Sequence, residues 1–290
     1  MKNIALVYIV LCLFLSPLLA KAQTKRALVI GLGNQKDSSW HKINGDKDVE
    51  YVLDMLNTAN YGQILTIVNE SATKSGILTA FKTLELSCKK DDIIYIHYSG
   101  HGQQSRDINN DESDSLDECW IPYDAYRKAS EQYNGESHLL DDEVYMLLSN
   151  ISNKIGAGGK MLVVIDACHS GDSTRGAKET IRGVSDILEI RRDINQLSES
   201  SQNREIHFNS EKWITLTACK SDQINFEMKT PIAGKLTYAL YTKVKNKEFC
   251  SNLEFFAKLK MFVNLNTGSR PQTPTMYGAT EKYLITDFLR

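Results

Sequence analysis

Short, almost wholly apolar runs alternate with segments of helical spacing along this chain, and this alternation restricts the fold more than any other feature. The runs lie at 26–34, 64–68, 92–98, 161–165 and 212–217, and the first ends in the glycine turn Gly31-Leu-Gly33. Runs this short and this apolar read as strands covered on both faces, as in parallel sheets. Between them, residues 46–58 carry Val49, Val52, Leu53 and Leu56 at helical spacing. Residues 73–86 carry Ile77, Leu78, Phe81 and Leu84 on one face. Further helices are predicted at 140–151, behind Asp141-Asp-Glu143, and at 236–247 and 253–265, with a last short strand at 282–285. Strand–helix alternation of this kind implies a mostly parallel sheet joined by right-handed crossovers.

The amino terminus is read separately. Met1-Lys-Asn3 is followed by an apolar stretch from Ile4 to Leu19 and by Ala20-Lys-Ala22. A basic start, an apolar centre and an A-x-A site describe a secretory signal peptide over 1–22, which is set aside from the fold. The expected location is therefore secreted or periplasmic. The remainder, 23–290, suffices for one sizeable α/β domain, and no second apolar run suggests stable membrane insertion after cleavage. The net charge of −2 offers no ground for a nucleic-acid partner. Once Cys12 is removed with the leader, Cys88, Cys119, Cys168, Cys219 and Cys250 remain. An odd number suits an oxidising compartment with one reactive thiol, and any pairing of the other four is left open.

Two of the apolar runs end in polar, glycine-bearing turns that carry chemistry. Ile93-Ile-Tyr-Ile-His-Tyr-Ser-Gly-His-Gly102 delivers His101, and Val163-Val-Ile-Asp-Ala-Cys-His-Ser-Gly171 delivers Cys168. Open α/β sheets form their sites at the carboxyl ends of strands. A thiol and an imidazole there are the minimum for a cysteine nucleophile with its general base. The backbone N–H groups of Gly102 and Cys168 are candidate donors to a tetrahedral oxyanion. Asp166 shares a strand face with Cys168. A carboxylate beside a nucleophile would oppose thiolate formation unless a substrate cation accompanies it. His97, within its strand, reads as a core histidine. Residues 172–211 form a long polar segment after the nucleophile, with a helix expected around 184–197, and count as a functional loop or an excursion.

These strings resemble the two signature motifs of metacaspases, in the caspase-like clan of cysteine peptidases. Tyr98-Ser-Gly-His-Gly102 and Asp166-Ala-Cys-His-Ser-Gly171 carry the resemblance, supported by Asn44-Gly-Asp-Lys-Asp48, Leu140-Asp-Asp-Glu143, Ile214-Thr-Leu-Thr-Ala-Cys-Lys-Ser-Asp-Gln223 and Gly234-Lys-Leu-Thr-Tyr-Ala-Leu240. The resemblance implies a caspase-like three-layer sandwich, with a mostly parallel central sheet of about six strands flanked by helices. It implies a Cys168–His101 endopeptidase cutting protein or peptide substrates after exposed Arg or Lys. Asp166, Asp48 and Ser99 would line the pocket for the basic residue. Gly45 stands where some relatives have cysteine, which would enlarge that pocket. No organic cofactor is implied. The family's calcium site maps onto Asp117, Asp141 and Asp142, while its fourth carboxylate falls near Arg175, so calcium is left open. The long loop is a candidate processing region, and Arg175, Lys178, Arg182, Arg191, Arg192 and Arg204 are of the type the pocket should accept. The rival from another class is a binding or scaffold protein on an inactive peptidase fold.

Overall fold

A computed structural model describes residues 23–106, 116–168, 180–189, 212–266 and 270–290; the proposed leader over 1–22 lies outside them. In chain order the elements are β1 (Lys25–Gly31), α1 (Gly45–Thr58), β2 (Gln63–Val68), α2 (Lys74–Ser87), β3 (Ile93–Ser99), β4 (Gly102–Arg106), β5 (Leu116–Trp120), β6 (Leu139–Leu140) and α3 (Asp141–Ile155). They continue with β7 (Lys160–Asp166), β8 (Ile214–Thr217), β9 (Glu227–Lys229), β10 (Ile232–Gly234), α4 (Lys235–Lys245), α5 (Asn252–Leu265), β11 (Thr275–Gly278) and α6 (Thr286–Leu289).

The main sheet has six strands in the order β11-β8-β7-β3-β1-β2. All its pairings are parallel except that of β11 with β8. Alternation along each strand divides the core into two layers. Ala27, Val29, Tyr95, Leu162 and Val164 face α1, α4 and α5, through Val52, Leu240 and Leu259. Leu28, Ile30, Ile96, Val163 and Ile165 face α2 and α3, through Phe81 and Leu148. Helix α2 starts where its sequence dictates: Thr73 Oγ1 accepts the Gly76 N–H at 3.0 Å.

Two expectations are corrected. The last strand is β11, not residues 282–285. There the apolar Ile285 is buried and its N–H donates to Asn252 Oδ1 at 2.7 Å, so the segment leads into α6 instead of pairing. The described part of the long loop, 180–189, is not helical, and the remainder of the helix expected around 184–197 lies outside the described residues. Residues 180–189 run extended, bridging Gly102 through Gly183 and Ser105 through Leu188. The arms of the acidic stretch, β4 and β5, pair antiparallel beside β6.

The sheet order sets the site. From β1 the chain goes outward to β2, then returns across β1 to β3. The connections thus diverge between β1 and β3, where open α/β sheets leave a crevice.

Candidate active site

Parallel register brings the two motif strands level. Ser99 of β3 pairs with Asp166 of β7, so His101 and Cys168, each two residues further on, leave neighbouring strand ends together. Both are fully buried. The carbonyl of His101 accepts the Tyr98 hydroxyl at 2.7 Å and the Ile121 N–H at 3.3 Å. Its ring lies against Trp40 and His41, with centroids 5.1 and 4.7 Å away. Nε2 is 2.8 Å from the His41 carbonyl. A carbonyl can only accept, so Nε2 carries the proton and Nδ1 presents its lone pair. Nδ1 is buried and has no hydrogen-bond partner among the described residues. Burial first, then the neighbouring His41, lowers the imidazole pKa to about 3. The Cys168 thiol donates to the Gln223 carbonyl at 3.1 Å, and the Cys219 sulfur lies 3.4 Å from the same oxygen. No disulfide joins Cys88, Cys119, Cys168, Cys219 and Cys250.

Beside this pair lies a fully buried polar cluster organised around Arg182. Its Nη1 donates to Asp48 Oδ2 and to Ser99 Oγ, each at 2.6 Å, and lies 3.5 Å from Asp166 Oδ1. Its Nε donates to Glu227 Oε1 at 3.1 Å. Each carboxylate has further support. Asp48 Oδ1 accepts the Gly234 N–H at 2.9 Å. Asp166 accepts Asn225 Nδ2 at 2.7 Å and the Thr237 N–H and hydroxyl at 2.9 and 2.7 Å. Burial pushes Asp166 up, but the guanidinium and these bonds outweigh it and hold the group below its ordinary value. For Asp48 burial prevails over Arg182, and its pKa stands above the ordinary value. His97, beneath the cluster, is a buried, hydrogen-bonded core residue between Tyr95 and Thr237, with burial lowering its pKa to about 4.

The backbone of Arg182 is held as specifically as its side chain. Its carbonyl accepts the N–H of Cys168 at 3.1 Å and the N–H of Gly102 at 3.2 Å. Its own N–H donates to the Asn225 carbonyl at 3.0 Å, and the Glu227 N–H donates to the Thr180 carbonyl at 2.9 Å. Ile181 therefore pairs antiparallel with Phe226. The His41 Nε2 lies 2.6 Å from the Ile181 carbonyl. Beyond Gly183 the segment continues along β4. Val184 packs with Trp40, Ile121, Ala125 and Leu140, and Asp186 pairs with Arg127 at 2.7 Å.

A family model described as metacaspase, peptidase C14 domain, matches residues 25–175, from β1 to beyond Cys168. The chain belongs to the metacaspase family. Metacaspase-1A of Aspergillus oryzae is 31% identical over 158 residues, which make up 52% of this chain and 35% of the relative. Metacaspase-2 of Arabidopsis thaliana is 32% identical over 155 residues, 51% of this chain and 34% of the relative. The match thus spans about a third of those relatives' length. Among solved structures, protein GSU0716 from Geobacter sulfurreducens superposes with a TM-score of 0.59 at 22% identity, covering 92% of this chain and 97% of that one. Caspase-1 from Spodoptera frugiperda gives 0.58 at 13% identity, covering 89% of each. These likenesses establish the caspase-like fold.

In this metacaspase Cys168, His101, Gly102, Asp166, Asp48 and Ser99 converge on one place, and Arg182 of the six candidate processing residues lies among them. Arg175, Lys178, Arg191, Arg192 and Arg204 lie outside the described residues. Gly45 does not enlarge the pocket. A Cβ there would sit 2.4 Å from the Ser99 carbonyl oxygen and 2.5 Å from that of Leu32, so glycine is needed where α1 crosses the end of β3. Among the described residues no three His, Cys, Asp or Glu side chains cluster to hold a metal ion. Asp117 sits on β5, and Asp141 and Asp142 open α3 directly after β6, the strand that pairs with β5. Sequence reasoning missed Glu227, Asn225, Thr237 and the His41 carbonyl. Glu227 opens β9, Thr237 lies in the first turn of α4 and Asn225 stands just before β9, and nothing local marks them as partners of Arg182 or Asp166; His41 contributes a backbone group that any residue could supply.

Proposed function

We propose that this protein is a cysteine endopeptidase that cuts protein or peptide substrates after Arg or Lys, and that it processes itself after Arg182. The observation that carries this reading is Arg182 itself. Its guanidinium lies among three carboxylates while its carbonyl accepts the two N–H groups expected to stabilise an oxyanion. In the proposed reaction His101 Nδ1 takes the Cys168 proton as sulfur attacks the carbonyl carbon of the basic residue. The oxyanion is held by the N–H groups of Cys168 and Gly102. The C–N bond then breaks, His101 returns the proton to the leaving amine, and water hydrolyses the thioester. The same reading has residues 1–22 direct export and then depart.

The test is mass spectrometry of wild type and Cys168→Ala, with turnover of basic and acidic peptides measured alongside. Wild type should be cut after Arg182 and should hydrolyse basic peptides only. Cys168→Ala should remain whole and inert. Equal cutting of both proteins, or preference for acidic peptides, would overturn the reading.

A further inference from the structure

The resident segment also carries information about selectivity, if the peptidase reading above holds. Arg182 is not met by one negative point. Asp48, Asp166 and Ser99 gather at Nη1, whereas Glu227 takes the opposite, Nε edge: its Oε1 lies 3.1 Å from Nε and 3.0 Å from Nη2. The carboxylate of Glu227 is fixed for this. It accepts the Asn44 N–H at 2.6 Å and the Asn44 side-chain amide. Asn44 stands at the amino-terminal cap of α1 yet makes no side-chain cap bond there; its amide is committed to Glu227. A lysine ammonium placed at the Nη1 position could meet Asp48 and Ser99. It has no second nitrogen to reach Glu227, which would stay buried without its cation.

The residue after the arginine is constrained as well. A Cβ on Gly183 would lie 2.4 Å from the Cys168 carbonyl oxygen and 3.1 Å from the Cys168 Cβ. Both belong to the end of the nucleophile strand, so neither can swing away as a flexible side-chain tip could. Both Arg–Gly dipeptides of the chain, 175–176 and 182–183, occur in the segment that follows Cys168.

We propose that the site selects arginyl–glycyl bonds, with Glu227 the residue that distinguishes arginine from lysine. Loss of a buried charged hydrogen bond should reduce kcat/KM about 10- to 100-fold when lysine replaces arginine. A methyl group on the next residue should reduce it about tenfold or more. The test uses the self-processed protein and peptides spanning Thr-Ile-Arg-Gly-Val-Ser, with Lys for Arg or Ala for Gly. The same peptides are then given to Glu227→Gln. The Arg-to-Lys ratio is the readout, because an inactive fraction of the variant lowers both rates equally. The expected result is a strong preference for Arg–Gly in wild type and a ratio that collapses toward one in Glu227→Gln. Equal turnover of Arg and Lys, an unchanged ratio in the variant, or Ala accepted as readily as Gly would overturn the proposal while leaving cleavage after basic residues intact. No cleavage of any peptide by protein whose Cys168 titrates with a thiol reagent would overturn both.

Discussion

Replacing Arg182 by Met should uncover Cys168. In the uncut chain Cys168 is fully buried, and the segment carrying Arg182 meets its backbone N–H directly. The guanidinium is equally buried and neutralises part of a cluster of three carboxylates. Removing one partner from a buried ion pair costs about 3–5 kcal/mol. Asp48, whose pKa burial already raises, can relieve some of that by taking up a proton, so the lower end of the range applies. The backbone bonds at Asn225, Glu227, Gly102 and Cys168 remain, and the loss falls on the docking of the segment. About 3 kcal/mol corresponds to a shift of about 100-fold in the open-to-docked ratio. Alkylation of a buried thiol proceeds through the open form, so its rate follows that ratio. The assay is iodoacetamide labelling of Cys168, followed by peptide mass spectrometry, in a His101→Ala background that prevents self-cutting. Arg182→Met should label about 100-fold faster than its parent. A change below about fivefold, the most an exposed ion pair would give, would refute the assignment of Arg182 as the occupant of the cluster.

Two further outcomes follow from the geometry. An ordinary imidazole loses its basicity below about pH 6.5, but His101 is lowered to about 3 by burial and by His41; a lowered pKa preserves the neutral base on acidification. Single-turnover self-cutting should therefore run at pH 5 without an inflection between pH 6 and 7, and a fall centred near 6.5 would contradict the docked geometry. Gly45→Ala should destabilise the domain by about 1–3 kcal/mol in urea unfolding, because its methyl would meet the carbonyls of Ser99 and Leu32; unchanged stability would show that α1 and β3 can separate there freely.

The layers, and the placing of His101 and Cys168 at neighbouring strand ends, were legible in the amino-acid pattern alone. Runs such as 93–98 and 161–165 are apolar on both faces, and only a sheet covered by helices on both sides buries them, so β3 and β7 were legible with their helices. Glycine-bearing turns after those runs marked His101 and Cys168, because strand ends are where such a sheet exposes functional groups. Asp166 and Asp48 were legible through the family motif. The antiparallel edge strand β11 was not: Thr275-Met-Tyr-Gly278 is short and half-exposed, and its pairing with β8 depends on a neighbour distant in sequence. The room around Gly45 was misread for a related reason, since the backbones that fill it belong to β3 and to the turn after β1. Which cation the acidic cluster holds, and how, depends on contacts between segments far apart in the chain. Arg182 sits in a polar stretch whose arginines look alike in sequence. It is distinguished by long-range partners: Asp48, Asp166 and Glu227 on its side chain, and the N–H groups of Gly102 and Cys168 on its carbonyl. Local patterns encode strands and helices, but a buried charge network is fixed by which segments the finished fold brings to one point.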